Sequence, residues 1–295
     1  MRDAVASRAT ELTRGRVPFV QATVVRAQHP TSAHAGDVAL IHEDGRIEGF
    51  VGGSCAETSV REYGLRAIST KEPILLRIVP GTVPGPSDEG AVTVANPCLS
   101  GGTLEIFLEP RLPAPHIVVV GDSPVGRALL ALAEPLGFAA EPADGEDAAP
   151  RQDDAALIVA SHGRGEEPAL TAALLAGVPY VALVASRTRG AAVLASLDVD
   201  EELRRRVHSP AGLDVGARTA PEIALSILAE LVAERSRRQP ELVVTRTALD
   251  PVCGMTVPMV DAAPHLDLEG RRLWFCGTGC RDAFAAAPER YAVGL

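Results

Sequence analysis

The chain has 295 residues, of which 46% are hydrophobic, 22% charged and 3% aromatic, and its formal net charge is −10. This composition supports two or three domains with cores of their own and excludes wholesale disorder. The negative net charge, the scattered basic residues and the few aromatic residues argue against nucleic acid or an anionic membrane as a general partner.

The start of the chain and its cysteine content predict the compartment. Residues 1–16 are charged and lack the apolar core of a signal peptide, and no apolar run reaches the length of a membrane span. Five cysteines in such a chain favour thiol or metal chemistry in a reducing compartment over a disulfide framework. We therefore expect a soluble cytoplasmic protein.

The first domain, predicted over residues 1–112, places a cysteine at a strand–glycine loop–helix corner. Residues 19–26 alternate as a half-buried strand does, and residues 38–51 predict a hairpin turning at Asp44-Gly45. Residues 56–68 have apolar side chains at helical spacing. Cys55 precedes this helix directly, where open amides and the helix dipole favour an anion and lower the thiol pKa.

A second cysteine of this domain also lies beside a pair of glycines. Cys98 precedes Ser100, Gly101 and Gly102, and residues 103–108 then alternate as a strand does. A buried structural thiol next to a tight turn explains either loop alone. Two such loops in one small domain favour a functional site, in which Cys55 and Cys98 face one cavity between the first two domains.

The second domain is predicted over residues 113–238 as a doubly wound parallel sheet of Rossmann type. The run HIVVVG ends in Gly121-x-Ser123-x-x-Gly126, where Ser123 replaces the glycine that lets the backbone approach a pyrophosphate. Asp144 follows about twenty residues later, as the dinucleotide motif expects. NAD binding is nevertheless only weakly indicated, because this fold hosts many functions.

Later strands of this domain are also followed by polar residues. His162 comes after the strand at 156–160, and His208 opens a glycine-bearing loop. Each histidine is explained equally well as a capping residue, as a core residue with satisfied hydrogen bonds, or as a functional residue. The last helix, predicted over 221–238, begins with a capping box formed by Thr219 and Glu222.

A linker at 239–247 leads to a module at 248–295 that is too small to be stable on its apolar core alone. Cys253, Cys276 and Cys280 predict a three-thiolate site for a zinc-like or copper-like ion, because Cys253 lies on a turn and the other two at a strand-to-helix junction. Whether His265 is a fourth ligand stays open. A disulfide between Cys253 and Cys280, or three buried thiols without an ion, are the alternatives.

Residues 16 to about 235 resemble the XdhC/CoxI family of accessory proteins for molybdenum hydroxylases. The matching stretches are PFVQATVVRAQHPTSAHAGD, GFVGGSCAE, CLSGGTLEIFLEP, VASHGRGEEPAL, YVALVASRTR and HSPAGLDVGARTAPEIALSILAE. The CLSGG stretch resembles the branch associated with carbon monoxide dehydrogenase more than the xanthine dehydrogenase branch. Residues 248–293 resemble a YHS domain, although only His265 matches the triplet that names it, which here reads Pro264-His265-Leu266.

The resemblance implies a maturation chaperone rather than a turnover enzyme. Such a protein binds the molybdenum cofactor, as molybdopterin or its cytosine dinucleotide form, shelters it during sulfuration and inserts it into an apo molybdenum hydroxylase. The implied partners are that hydroxylase and a cysteine desulfurase or other sulfur donor, and we expect a homodimer. The candidate cofactor-binding residues are Gly52, Gly53, Ser54, Cys55, Glu57, Cys98, Ser100, Gly101, Gly102, Gly121, Ser123, Gly126, Asp144, His162, Ser186, Arg187, His208 and Asp214.

Two other functions remain open from the sequence. The second domain is also compatible with an NAD(P)-dependent oxidoreductase, although it lacks the middle glycine and an evident acid–base set beyond His162 and His208. The third module alone is compatible with a metal-trafficking protein. Cys55 and Cys98 are the candidates for sulfur handling or for contacts with the metal side of the cofactor, because a soft thiolate suits a metal–sulfur centre.

Overall fold

The computed structural model describes residues 2–81, 90–96, 102–237, 245–268 and 270–291. The chain divides into two compact units, one formed by residues 1–113 together with 241–295 and the other by residues 114–240. The predicted fold class is confirmed: a mixed first domain, a parallel-sheet second domain and a small C-terminal module. Within the described ranges, no helix has both the length and the apolar character that a membrane span requires.

The first domain is built on a six-stranded sheet in the order β3-β2-β1-β6-β4-β5. All neighbouring strands are antiparallel except β4 and β5. Its elements are α1 (Arg2–Arg14), β1 (Phe19–Gln28), β2 (Val38–His42), β3 (Ile47–Gly49), α2 (Ser54–Thr70), β4 (Ile74–Pro80), β5 (Ala91–Asn96) and β6 (Thr103–Arg111).

Helix α2 covers one face of this sheet. Its Val60 and Ala67 are fully buried against Val20, Ala22 and other inward-facing residues of the strands. This packing follows from the sequence, because apolar residues alternate along β1 and recur at helical spacing along α2. The helix ends at Lys71, whose backbone takes the left-handed conformation (φ 61°).

The second unit is a five-stranded parallel sheet in the order β11-β10-β9-β7-β8. Apolar clusters lie on both of its faces, as a sheet wound on both sides requires. The capping box of Thr219 and Glu222 is confirmed at the start of α7. The elements are β7 (His116–Val120), α3 (Pro124–Ala133), β8 (Ala139–Ala143), β9 (Ala156–Val159), α4 (Glu166–Ala176), β10 (Tyr180–Leu183), α5 (Arg187–Ser196), α6 (Glu201–Arg204), β11 (Val207–His208) and α7 (Ala220–Arg237), with a 3-10 turn at Glu134–Leu136.

The C-terminal module consists of two short hairpins and one helix. Its centre holds Phe275 and Phe284, whose ring centroids are 5.5 Å apart and which are both fully buried. So few apolar residues make a core that is marginal for a separate domain. The elements are β12 (Thr247–Leu249), β13 (Thr256–Pro258), β14 (His265–Leu268), β15 (Arg271–Trp274) and α8 (Thr278–Ala286), followed by a 3-10 turn at Pro288–Arg290.

The module does not stand apart from the first domain, since it packs on α2. The Thr58 hydroxyl donates a hydrogen bond to the carbonyl oxygen of Cys276 (2.5 Å). A Cβ atom on Gly277 would lie 2.9 Å from Cβ of Ser54, so the two backbones approach closely there. A Cβ atom on Gly45 would similarly meet Val260 of the module. The start of α2 therefore lies against the module.

Candidate functional site

Cys55 occupies the first turn of α2, the position that the sequence predicts. Gly53 is the N-cap residue, and no side chain in the described part of the chain caps this helix. Gly52 has φ +137°, and a Cβ atom there would lie 2.9 Å from Cβ of Ala56, so the turn requires glycine. The positive end of the helix dipole therefore acts on the Cys55 thiol and favours its thiolate.

Three cysteines and one aspartate of the module form a group that could hold a metal ion. One ligand atom from each of Asp250, Cys253, Cys276 and Cys280 lies within 4.8 Å of the others. The Sγ atom of Cys276 lies 3.6 Å from Sγ of Cys253 and 3.6 Å from Sγ of Cys280. These distances are far longer than the roughly 2.05 Å of a disulfide bond. The three side chains are thiols, and the alternative disulfide between Cys253 and Cys280 is not formed.

Asp250 is the member of this group that sequence reasoning missed. Its side chain is buried, with 1% of the residue exposed. Oδ1 accepts hydrogen bonds from the amides of Val252 (2.8 Å) and Cys253 (3.4 Å), and Oδ2 accepts one from the amide of Cys276 (2.7 Å). One carboxylate thus positions two cysteines that lie far apart in sequence. An Asp before Pro251 at a turn was the available signal, because Asp side chains commonly bond to the next amides of a turn.

The three thiols differ in acidity because they share hydrogen bonds in a buried place. The pKa of Cys253 is lowered, chiefly by its hydrogen bond with Cys276, while burial opposes the shift. Burial raises the pKa of Cys280 to about 12. The pKa of Cys276 is also raised, first by its hydrogen bond with Cys253. Cys253 is therefore the most acidic thiol of the cluster, and binding a cation would release protons from the thiols that hold it.

Cys55 of the first domain packs directly against this cluster of the module. It is in contact with the small apolar core that contains Cys276, Met255 and Trp274. Sequence reasoning assigned Cys55 and the module cysteines to separate sites, whereas the fold brings them together. Nothing local in the sequence indicates this contact, because it joins residues more than 200 positions apart.

A cavity of about 720 Å³ opens at this junction. The first domain contributes the start of α2 and the segment from His29 to Ser32, and the module contributes the start of α8 with Gly277, Gly279 and Cys280. Gly102 also lines it and packs tightly against the carbonyl of Pro30. Its volume is that of a pocket for a drug-sized or cofactor-sized ligand. Two helix N-termini and several thiols therefore face one cavity.

The other predicted residues of this region are placed as follows. Ser54 is the first residue of α2 and is exposed, and Glu57 lies half-buried in the same turn. Cys98, Ser100 and Gly101 lie outside the described residues, so a cavity shared by Cys55 and Cys98 stays a prediction.

His265 lies near the cysteine cluster in sequence but does not belong to it. The residue begins β14, and its Nδ1 atom is 2.9 Å from the carbonyl oxygen of Ala263. Its ring is tilted against that of Trp274, with centroids 5.1 Å apart. The fourth ligand-type group around the three cysteines is Asp250 instead.

A second candidate region is the edge of the parallel sheet where the strands end. The chain passes from β7 to β8 on one side and then returns to β9 on the other, so β7 and β9 form a topological switch point. Ligands of such sheets bind in the crevice outside the strand ends at this point. Gly121 and His162 follow these two strands. His162 is exposed and has a left-handed backbone (φ 54°), a conformation that is uncommon for residues other than glycine.

The glycine motif of this region serves packing and capping. A Cβ atom on Gly121 (φ +95°) would lie 2.5 Å from Cα of Ser161, and one on Gly126 would lie 2.6 Å from the carbonyl oxygen of Gly121. The Ser123 hydroxyl accepts a hydrogen bond from the amide of Gly126 (3.1 Å) and caps α3. The hydroxyl of the middle serine thus takes the Gly126 amide at the helix start, where the dinucleotide motif has a glycine that lets the backbone approach a pyrophosphate.

The remaining predicted residues of the second unit lie in loops after its strands. Asp144 is exposed directly after β8. Ser186 caps α5 by accepting a hydrogen bond from the amide of Arg189 (3.3 Å), and Arg187 is exposed beside it. Asp214 is exposed in the loop before α7.

His208 belongs to a partly buried network that holds β10, β11 and α7 together. Its Nδ1 atom is 3.3 Å from Oε1 of Glu230, and its ring centroid is 4.6 Å from that of Tyr180. The Tyr180 hydroxyl donates to Oε2 of Glu230 (2.6 Å), as does the amide of Gly212 (2.9 Å). Burial opposes ionisation of Glu230, but the hydrogen bonds from Tyr180 and Gly212 prevail and lower its pKa.

We expect Tyr180→Phe to lower the free energy of unfolding of this unit by about 1–3 kcal/mol at neutral pH, because it removes a hydrogen bond to a charged acceptor. Since folding lowers the pKa of Glu230, the stabilisation is complete above the unfolded value of about 4.3 and is lost as the pH falls through the folded value. Urea unfolding of both proteins over a pH series checks this. A penalty that stays constant down to acid pH would contradict the assignment.

Two family models match the chain. Residues 12–79 match the model of the XdhC and CoxI family, and residues 117–231 match the model of the XdhC Rossmann domain. Together they cover more than half of the 295 residues. The predicted resemblance to this family is thereby confirmed over these two ranges. The resemblance of the C-terminal module to a YHS domain stays a prediction.

Individual proteins add three similarities. An uncharacterized protein of Escherichia coli, YqeB, is 28% identical over 256 residues, which are 77% of this chain and 46% of that protein, so the chain spans about half its length. A copper-transporting P-type ATPase of Rhizobium leguminosarum is 52% identical over 42 residues, 14% of this chain and 5% of the ATPase. A crystal structure described as a xanthine dehydrogenase from Bacillus halodurans has a TM-score of 0.39 and 16% identity, covering 78% of this chain and 96% of that one.

Proposed function

Models of the XdhC and CoxI family match the first two domains of the chain, and on that premise we propose that it is a maturation factor for molybdenum hydroxylases. It would bind the molybdenum cofactor, support its sulfuration and deliver it to an apo-hydroxylase. A hydroxylase of the carbon monoxide dehydrogenase or xanthine dehydrogenase type is the client that we propose.

The observation that carries this proposal is the position of Cys55 at a cavity of about 720 Å³. A molybdenum cofactor combines a phosphate-bearing pterin with a metal–sulfur centre. Backbone amides at the start of α2, around Gly53 and Ser54, suit the phosphate. The Cys55 thiol suits the soft metal–sulfur end. The donor set and the size of the cavity therefore fit the group.

The residues of the cavity would bind and shelter the cofactor rather than turn over a substrate. Amides of Gly53 and Ser54 would donate hydrogen bonds to phosphate oxygens, with the helix dipole adding attraction for the negative charge. The Cys55 sulfur would contact the metal side or carry the sulfur to be transferred. When bound, the cofactor supplies the redox-active metal that the client hydroxylase needs. The half-enclosed walls would limit the access of water.

In the second unit, considered by itself, we propose the switch point as a place where a nucleotide would bind. Gly121 and His162 lie on its two sides, and Asp144 follows the neighbouring strand. A nucleotide at this edge needs no pyrophosphate on the glycine turn, where the Ser123 hydroxyl already bonds to the Gly126 amide. An NAD(P)-dependent oxidoreductase is less well supported for the same reason.

The C-terminal module would hold a zinc or copper ion through Cys253, Cys276 and Cys280. The Sγ atoms of Cys253 and Cys280 each lie 3.6 Å from Sγ of Cys276. The core of the module is so small that its stability would need a bound ion. A metal-trafficking role is the second candidate function, favoured by this cluster and by the match to a copper-transporting ATPase. The apo-hydroxylase, a sulfur donor such as a cysteine desulfurase, and a second copy of the chain are the proposed partners.

We expect Cys55→Ser to reduce the molybdenum and pterin that copurify with the full chain by at least about tenfold, because the only change is the loss of a soft ligand. Thr70→Ala, at the other end of α2 and half-buried, is the matched control and should retain them. Visible-range spectra combined with metal and pterin analysis measure the outcome. Circular dichroism verifies that both variants are folded.

The same measurement separates the candidate functions. Pterin with molybdenum supports the maturation factor, and bound nicotinamide would support the oxidoreductase. Zinc or copper without pterin would leave only the metal-trafficking function. Equal cofactor content in Cys55→Ser and the parent chain would remove Cys55 from the cofactor site.

A further inference from the structure

We propose that Cys55 joins Cys253, Cys276 and Cys280 in one four-sulfur site for a soft cation of the zinc type. The site would be shared between the first domain and the C-terminal module, rather than contained in the module. The inference rests on the metal binding proposed for the module, but it does not depend on the role in molybdenum cofactor maturation.

The spacing of the sulfur atoms suits a tetrahedral ion. With zinc–sulfur bonds of about 2.3 Å, sulfur atoms of a tetrahedral site lie about 3.8 Å apart. The two sulfur–sulfur separations around Cys276 are both 3.6 Å. Cys55 packs against the cluster that contains Cys276 and lines the same cavity as Cys276 and Cys280. A small ion placed among these thiols would thus replace thiol–thiol hydrogen bonds by metal–sulfur bonds.

The composition of the cluster decides which group is the fourth ligand. Three module cysteines leave one tetrahedral position. Asp250 lies within 4.8 Å of all three ligand atoms, and Cys55, which packs against the same cluster from α2, is the other candidate. Both carboxylate oxygens of Asp250 already accept backbone hydrogen bonds that fix the positions of Cys253 and Cys276. An ion bound by three thiolates also favours a further soft ligand over an oxygen. Cys55 fits this position, and Asp250 is a positioning residue.

The packing between α2 and the module keeps the fourth sulfur in place. The Thr58 hydroxyl bonds to the carbonyl oxygen of Cys276, and Gly277 lies directly against Ser54. Cys55 and Cys280 both lie in the first turn of a helix, α2 and α8 respectively. Four thiolates around a divalent ion carry two net negative charges, which the positive ends of both helices would stabilise.

The site has a consequence for the cavity. A Cys55 sulfur that is bound to the ion cannot at the same time accept or transfer sulfur. Occupation by the ion would therefore close the Cys55 thiol to other ligands, and removal of the ion would expose it. This makes the C-terminal module a metal-dependent cover of the first domain's thiol.

The test is to load the reduced full chain with one equivalent of zinc and count the sulfur ligands by X-ray absorption at the zinc edge. We expect four sulfur atoms for the parent chain. Cys55→Ser should show three sulfurs and one lighter atom, with zinc affinity lower by about 10-fold or more. Cys98→Ser should keep four sulfurs, and Cys276→Ser should lose the ion. Circular dichroism of the zinc-free proteins verifies their folding.

The outcomes distinguish this site from its alternatives. Three sulfurs and one oxygen in the parent chain would overturn the role of Cys55 and leave a site contained in the module. Four sulfurs in Cys55→Ser, with one lost in Cys98→Ser, would assign the fourth position to Cys98 and overturn the proposal as well. Absence of zinc binding in the parent chain would refute both this site and the module site, while leaving the maturation function to its own pterin analysis.

Discussion

Replacing Asp250 by alanine should unfold the C-terminal module. The substitution removes the acceptor of three backbone amides, which belong to Val252, Cys253 and Cys276. Each buried amide that is left without an acceptor costs about 1–3 kcal/mol, and three of them together exceed what so small a core supplies. Trp274, the single tryptophan of the chain, is 6% exposed within the module. Its fluorescence should shift to longer wavelength, and zinc binding should be lost.

The matched control for this substitution is Asp261→Ala in the same module. The Asp261 side chain is 92% exposed and forms an ion pair with Arg272 (3.0 Å). An exposed pair of this kind contributes at most about 1 kcal/mol. Tryptophan emission and zinc binding should therefore remain those of the parent chain. Unshifted emission in Asp250→Ala would show that the carboxylate does not organise the module.

Gly121→Ala should strongly destabilise the second unit. Residue 121 has φ +95°, and the added Cβ would lie 2.5 Å from Cα of Ser161 and 2.9 Å from its backbone nitrogen. Backbone strain of about 1–2 kcal/mol is thus joined by a collision with backbone that cannot rotate away. We expect a total loss of about 3 kcal/mol or more in unfolding free energy, measured by urea denaturation.

Gly137→Ala separates the two effects. Its φ of +79° imposes a similar strain, but the added Cβ would meet no atom within 4 Å. This variant should lose only the roughly 1 kcal/mol that the left-handed conformation costs. Equal losses in both variants would mean that the approach of Gly121 to Ser161 does not constrain the turn.

Local patterns predicted much of the fold because their causes are local. Alternation along β1, the apolar run of β7 and the capping box at Thr219 each depend on neighbouring residues. The position of Cys55 in the first turn of α2 was predictable for the same reason, since a glycine pair before an apolar helical pattern marks a helix start.

The composition of the site was predictable only in part. The three module cysteines were found from their spacing, and they do lie together. Asp250 was missed because its role depends on an amide 26 residues away, at Cys276. The contact of Cys55 with the module depends on the fit of Gly277 against Ser54. Such complementarity between distant surfaces leaves no periodic trace in a single sequence.

The docking of the module on α2 also has a cost in chain entropy. The first compact unit is made from two stretches of chain, which are separated in the sequence by the whole of residues 114–240. Holding these stretches together closes a long loop, which an unfolded chain avoids for entropic reasons. An ion that links α2 to the module would act as a cross-link, worth about 5 kcal/mol in the chain-entropy estimate for loops of this size. Chelation should therefore lower the melting temperature of the first domain itself, although three of the four proposed ligands are in the module.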